Sequence, residues 1–143
     1  MKKFFILLIL TFTIVLIPTI FIDFDTSNLI KPALFPPKLL FPIVWSILYL
    51  LMSISVYLST KNDNEIYIIY FIQLIVNSIW SPLFFGLKWY FLSFLWLLLL
   101  LILATIMVKK MKEKNMVAYY LQIPYIIWII FAGYLNLFVY ILN

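Results

Sequence analysis

The sequence predicts an all-α integral membrane bundle of five transmembrane helices, forming one domain over residues 1–143. Three observations predict it. Apolar residues make up 67% of the 143 positions and charged residues 10%, with a mean hydropathy of +1.17, whereas a soluble domain averages about 45–50% apolar and about 25% charged. The apolar residues gather into five runs, each long enough to cross about 30 Å of hydrocarbon at about 1.5 Å of helix per residue. Lysines sit at the ends of those runs. A soluble fold of this size leaves too much of its area in water to hide so many apolar side chains, so the solvent for most of the chain is lipid.

The first run, about Phe4–Ile22, follows Lys2 and Lys3. A basic start before an apolar run also describes a signal peptide. This run is longer than a signal core, however, and Pro18-Thr19-Ile20-Phe21 is not the small-x-small exit a peptidase needs, so it is expected to remain as a helix. The second run covers about Leu39–Ser59, the third Ile66–Phe85, the fourth Trp89–Val108 and the fifth Met116–Leu142. Between them lie Asp23–Lys38, Thr60–Glu65, Gly86–Lys88 and Lys109–Asn115. Only the first break is a loop of any size. The others read as tight turns, which predicts that sequential helices pack as antiparallel neighbours. No internal repeat or low-complexity linker is present.

Lysine position predicts orientation. With the N-terminus in the cytoplasm, Lys2, Lys3, Lys61, Lys109, Lys110, Lys112 and Lys114 are inside, against Lys31, Lys38 and Lys88 outside. The C-terminus and the 23–38 loop then face the exterior of a multi-pass protein of the cell membrane. The isoleucine, lysine and asparagine bias suggests a low-GC bacterium, hence the plasma membrane.

Composition also removes function classes. Without cysteine there is no disulfide, thiolate nucleophile or zinc–thiolate site. Without histidine the commonest metal ligand and general base is missing. No metal, cofactor or nucleic-acid partner is expected, since the net charge of +5 comes from lysines placed for anionic headgroups. No acid or base lies within a span, which argues against conventional polar catalysis and against ion-coupled transport.

Polar residues inside spans are then the informative ones. In the third run Gln73, Asn77, Trp80, Ser81 and Phe84 share one helical face. In the second, Pro42 is followed by Trp45, Tyr49 and Met52 on one face. The fifth aligns Pro124, Tyr125, Trp128, Ala132 and Asn136. Trp89, at a span's end, reads as an interfacial anchor. Pro82 and Pro124 are expected to kink their helices. The three stripes predict an aromatic-walled pocket among the second, third and fifth spans, suited to a large flat apolar ligand that stacks on rings. The alternative is that Gln73 and Asn77 only cross-link helices by hydrogen bonds.

Three elements carry a family resemblance. The first is Lys31-Pro32-Ala33-Leu34-Phe35-Pro36-Pro37, followed by Phe41, Trp45, Leu48-Tyr49 and Met52. The second is Gln73-Leu74-x-x-Asn77-x-x-Trp80-Ser81-Pro82-x-Phe84-Phe85-Gly86. The third is Pro124-Tyr125-x-x-Trp128-x-x-x-Ala132-x-x-Leu135-Asn136. In order and spacing, over roughly residues 28–138, these resemble the TspO/MBR family of tryptophan-rich sensory and translocator proteins. The resemblance implies a five-helix bundle, often dimeric, that binds porphyrins such as protoporphyrin IX, sterols, and isoquinoline or benzodiazepine-type drugs. It implies ligand contacts from Trp45 and Trp128 and a pocket face of Asn77, Trp80, Ser81 and Phe84. In some relatives the two matching tryptophans take part in light-dependent porphyrin degradation, which would make Trp45 and Trp128 catalytic.

The chain also departs from the pattern. Asp25-Thr26 stands where relatives carry Trp-Tyr, which weakens the expected aromatic lid. Trp96 stands where many have an acid, and no basic residue follows Tyr140 to complete the sterol pattern of animal relatives. A loose match to that pattern, Leu51…Tyr57…Lys61, is a motif of little specificity. The leading expectation is a receptor or sensor-transporter for porphyrin-like ligands, and the missing axial ligands favour a metal-free tetrapyrrole over haem. The alternatives are a light-dependent porphyrin-degrading enzyme and a structural subunit without ligand.

Overall fold

A computed structural model describes residues 1–61 and 64–143. In lipid the backbone must satisfy its own hydrogen bonds, so each long apolar run becomes helix. The helices are α1 (Lys2–Leu16), α2 (Leu40–Ser59), α3 (Glu65–Ser81), α4 (Tyr90–Lys114) and α5 (Met116–Leu142). A 3₁₀ turn, Ile17–Thr19, extends α1, and a π-helical turn, Pro82–Gly86, extends α3. All five are long and apolar enough to span a membrane.

Each helix buries one stripe and turns the rest outward. On α1 the buried residues are Leu7, Thr11 and Val15, four apart. On α4 they are Ser93, Leu97, Leu100, Ala104, Met107, Val108 and Met111, the alternating three–four spacing that lets two helices interlock. α5 answers with Ala118, Gln122, Tyr125, Ile129, Ala132, Leu135, Asn136 and Val139. Outward faces carry large apolar residues, among them Ile68, Ile72, Ile75, Ile102, Ile106, Ile127 and Ile130. Water would penalise such a surface, and hydrocarbon does not. The molecule is a multi-pass membrane protein.

The order of helices around the bundle differs from the sequential one the short turns suggested. α2 packs against α1 and α5, α3 packs against α4 and α1, and α2 with α3 make little close contact. The ring therefore runs α1–α2–α5–α4–α3. Helices α2 and α3 stand apart, and side chains reach across the gap between them. Asn62 and Asp63, within the turn expected at Thr60–Glu65, lie outside the described residues.

Three further boundaries differ. α1 ends at a 3₁₀ turn containing Pro18 rather than continuing to Ile22. The break expected at Lys109–Asn115 is helical through Lys114, and Asn115 alone makes the turn, its side chain accepting from the Ala118 amide. Lysine is a good helix former, and its stem lets a helix run on past the hydrocarbon. At Pro82 the α-helix widens into the π turn, closed by bonds from Leu87 N to Pro82 O (2.9 Å) and Trp89 N to Leu83 O (3.0 Å). Proline has no N–H for the tighter pattern, and a π turn absorbs the loss.

Candidate functional site

A cavity of about 350 Å³ lies near the 23–38 end of the bundle, within the usual range for small-molecule sites. α1 contributes Phe12, Val15 and Leu16, and the turn after it Thr19. The loop contributes Phe24, Thr26 and Lys38. From α2 come Phe41, Pro42, Trp45, Ser46 and Tyr49, and from α3 Asn77, Ser78, Trp80, Ser81 and Phe85. The space lies where α2 and α3 fail to meet. Leu16, Leu39 and Ser46 border it and are themselves exposed, so it is open to the outside beside α1 and α2.

Aromatic rings set its shape. Trp45 stacks on Tyr49 with centroids 5.5 Å apart and planes 21° from parallel. It also contacts Trp80 and Tyr125 at 6.4 Å and Trp128 at 6.3 Å. Phe12 meets Tyr49 edge-on at 6.0 Å, and Phe24 lies 4.9 Å from Phe85. Such offset and edge-to-face pairs hold rings in fixed orientation and leave faces available for stacking.

Behind this wall runs a chain of buried hydrogen bonds. Tyr49 Oη donates to Asn77 Oδ1 (2.8 Å), Asn77 Nδ2 to Tyr125 Oη (2.8 Å), and Tyr125 Oη to Gln73 Oε1 (2.8 Å). Gln73 Nε2 then points to Met52 Sδ at 3.9 Å. A second bridge runs from Trp80 Nε1 to Asn136 Oδ1 (3.0 Å) and from Asn136 Nδ2 to Tyr90 O (2.7 Å). In the packed bundle each of these amides is oriented by the neighbours it bonds. Trp96 donates from Nε1 to Val76 O at 2.7 Å and ties α4 to α3.

The sequence-predicted residues thus divide into two groups. Trp45, Tyr49, Asn77, Trp80 and Ser81 border the cavity. Gln73, Phe84, Tyr125, Trp128, Ala132 and Asn136 do not. The chamber expected among the second, third and fifth spans is filled by side chains. What remains there is a void of about 10 Å³ beside Trp80, Phe84, Ala132 and Asn136. α5 packs closely on α2, which closes that side and moves the open space to α1. Gln73 links α3 to α5 through Tyr125 and reaches Met52 of α2. Trp128 backs Trp45, and its Nε1 is buried without a hydrogen-bond partner.

Sequence reasoning missed the α1 wall and the loop's share. Phe12 and Val15 sit in an unbroken apolar run with no polar mark to set them apart. Phe24 supplies a ring one residue before Asp25-Thr26, and Thr26 is buried at the cavity. Tyr134 Oη donates to Ala33 O (2.8 Å), while Asn143 accepts from Ile30 N (3.0 Å) and donates to Ile30 O (2.9 Å). These contacts fasten the loop to α5. Leu34 beside the clamp has φ 67°, a left-handed conformation that non-glycine residues seldom adopt.

Fold and cavity together define a small multi-pass membrane protein built around an aromatic-walled intramembrane site. Comparison with known proteins adds the family. The TspO/MBR family model matches residues 5–142. Protein CrtK of Rhodobacter capsulatus is 36% identical over 123 residues, covering 82% of this chain and 77% of its own. The tryptophan-rich protein TspO of Archaeoglobus fulgidus is 37% identical over 117 residues, covering 79% and 76%. The translocator protein of Ovis aries is 32% identical over 117 residues, covering 77% and 69%. The chain belongs to the TspO/MBR family.

Proposed function

We propose that this chain is a membrane receptor for flat hydrophobic ligands of the tetrapyrrole type, bound in the cavity between α1, α2 and α3. The observation that carries the reading is the cavity of about 350 Å³ lined by Phe12, Phe41, Trp45, Tyr49 and Trp80, whose rings offer stacking surface inside the bilayer. The sensory and translocator names of relatives support a receptor role. Trp45, Tyr49, Asn77, Trp80 and Ser81 are assigned as ligand contacts, and Trp128 as the ring that holds Trp45 in place. Isoquinoline and benzodiazepine-type drugs fit the same chemistry. Seven lysines at the α1 N-terminal end of the bundle against three at the other support a cytoplasmic N-terminus in a cell membrane.

Titration of the purified protein with protoporphyrin IX, followed by tryptophan fluorescence, tests this. Saturable quenching in wild type that weakens in Trp45→Phe is expected. Quenching that never saturates overturns it.

A second reading is favoured by the cluster itself. Trp45 lies within 6.4 Å of Tyr49, Trp80, Tyr125 and Trp128, a set of oxidisable rings beside any bound chromophore. Light-dependent porphyrin degradation would use that set as electron donors to the photo-excited ring and needs no acid or base. Dissolved dioxygen would be the oxidant that takes up the electrons and opens the ring. Illuminated turnover unchanged in the Trp45→Phe, Trp128→Phe double variant excludes participation of these residues.

A further inference from the structure

Resting on the reading of the cavity as a ligand site, we infer that Lys38 selects the ligand's charge. The cavity takes a planar apolar molecule that bears a carboxylate, with the acid held at Lys38 and the ring system among the aromatics below. Among the described residues that line the space, Lys38 is the one charged side chain. It is exposed and lies two residues before the start of α2, so its stem forms part of the rim while its ammonium stays in water. Phe41, Trp45 and Tyr49 follow along α2 over about 12 Å at about 1.5 Å per residue. A ligand oriented with its acid at the rim would lay its rings along that row.

Several of the other polar groups around the cavity are already engaged. Tyr49 Oη donates to Asn77 at 2.8 Å, Ser78 Oγ to Ile75 O at 2.7 Å, and Thr19 Oγ1 to Leu16 O at 2.6 Å. The cavity wall at Tyr49, Asn77 and Ser78 therefore suits an apolar edge, and an ammonium with three donors stands at the rim. Asp25 feels the charges of Lys38 and Lys88. Both of its oxygens are nevertheless turned to Ser27, one accepting the amide at 3.0 Å and the other the hydroxyl at 3.0 Å. The local acid is thus held in its own turn, and the Lys38 ammonium is left to a carboxylate arriving from outside. A charge-assisted contact of this kind fixes which end of a flat molecule enters first.

Protoporphyrin IX and its dimethyl ester share one ring system and differ in charge, so their apparent Kd values in nanodiscs of zwitterionic lipid isolate the effect. The full chain should bind the free acid about fivefold to tenfold tighter than the ester. Lys38→Gln should bring that ratio to about one without weakening the ester, and Lys38→Arg should keep it. Lys31→Gln should also keep it, because Lys31 lies over the Phe35 ring and off the cavity wall. Equal binding of acid and ester by wild type, or a ratio that survives Lys38→Gln, overturns the charge-selecting role while leaving the cavity reading intact. Loss of the ratio in Lys31→Gln as well would replace a local anchor by a diffuse positive field and overturns it too. Absence of saturable binding by both compounds removes the ligand site itself.

Discussion

The hydroxyl of Tyr49 donates to the side-chain carbonyl of Asn77 at 2.8 Å, and this bond joins α2 to α3 where their backbones stand apart. One face of the Tyr49–Asn77 pair looks into the cavity. The other passes through Tyr125 to Gln73 in the packed interior. Cavity wall and bundle cross-link are therefore made by the same side chains.

Asn77→Leu should destabilise the protein. It removes two hydrogen bonds and leaves the Tyr49 and Tyr125 hydroxyls short of partners, at a cost of about 1–3 kcal/mol. A lower Tm in detergent, with helix content unchanged in the folded state, is the expected result. Asn77→Asp keeps the acceptor for Tyr49 and sacrifices the donor to Tyr125, so its loss should be of similar size through a buried charge.

Trp45→Ala should weaken binding of a stacking ligand about tenfold or more, whereas Trp45→Phe should keep part of the affinity. Trp128→Phe acts at one remove, through the 6.3 Å contact with Trp45. Its effect should be smaller than that of Trp45→Ala. Fluorescence titration with protoporphyrin IX ranks the three.

The 23–38 loop hangs from α5 by Tyr134 and Asn143. Tyr134→Phe combined with Asn143→Ala removes the three hydrogen bonds that reach Ala33 and Ile30. Hydrogen exchange should accelerate at Leu29–Phe35 and stay unchanged within α3 and α4, because exposed loop contacts open locally. Uniform acceleration across the bundle would show that the clamp supports the whole fold.

In the loop, the amide and hydroxyl of Ser27 hold the Asp25 carboxyl below its usual range, aided by Lys38 and Lys88. A depressed folded value means that the charged form stabilises the turn. That contribution is present above the unfolded value and is lost as pH falls through the folded one. An NMR titration of Asp25 should show a midpoint below that of an unstructured aspartate. Ser27→Ala should move it upward.

Much of the architecture was legible in residue identities. The five spans follow from runs that only hydrocarbon tolerates, and Asn77, Trp80, Gln73 and Asn136 were marked by being polar or amphipathic inside those runs. The α4 extension through Lys114 was not legible, because lysines read as an end to an apolar span although they do not end a helix. Nor was the α1 wall, because Phe12 and Val15 look like any lipid-facing residue until a partner helix covers them.

The sequence by itself determined that this chain lives in a membrane, how many times it crosses, which family it resembles and which polar side chains must turn inward, since the cost of exposing an amide to hydrocarbon acts on each residue wherever the helices lie. Only the tertiary structure decided where the open space falls. Short turns bring sequential helices near one another, yet packing of small and interlocking side chains joined α2 to α5 and held α2 away from α3. That choice filled the side facing Trp128 and Asn136 and left the cavity beside Phe12, with Lys38 at its rim.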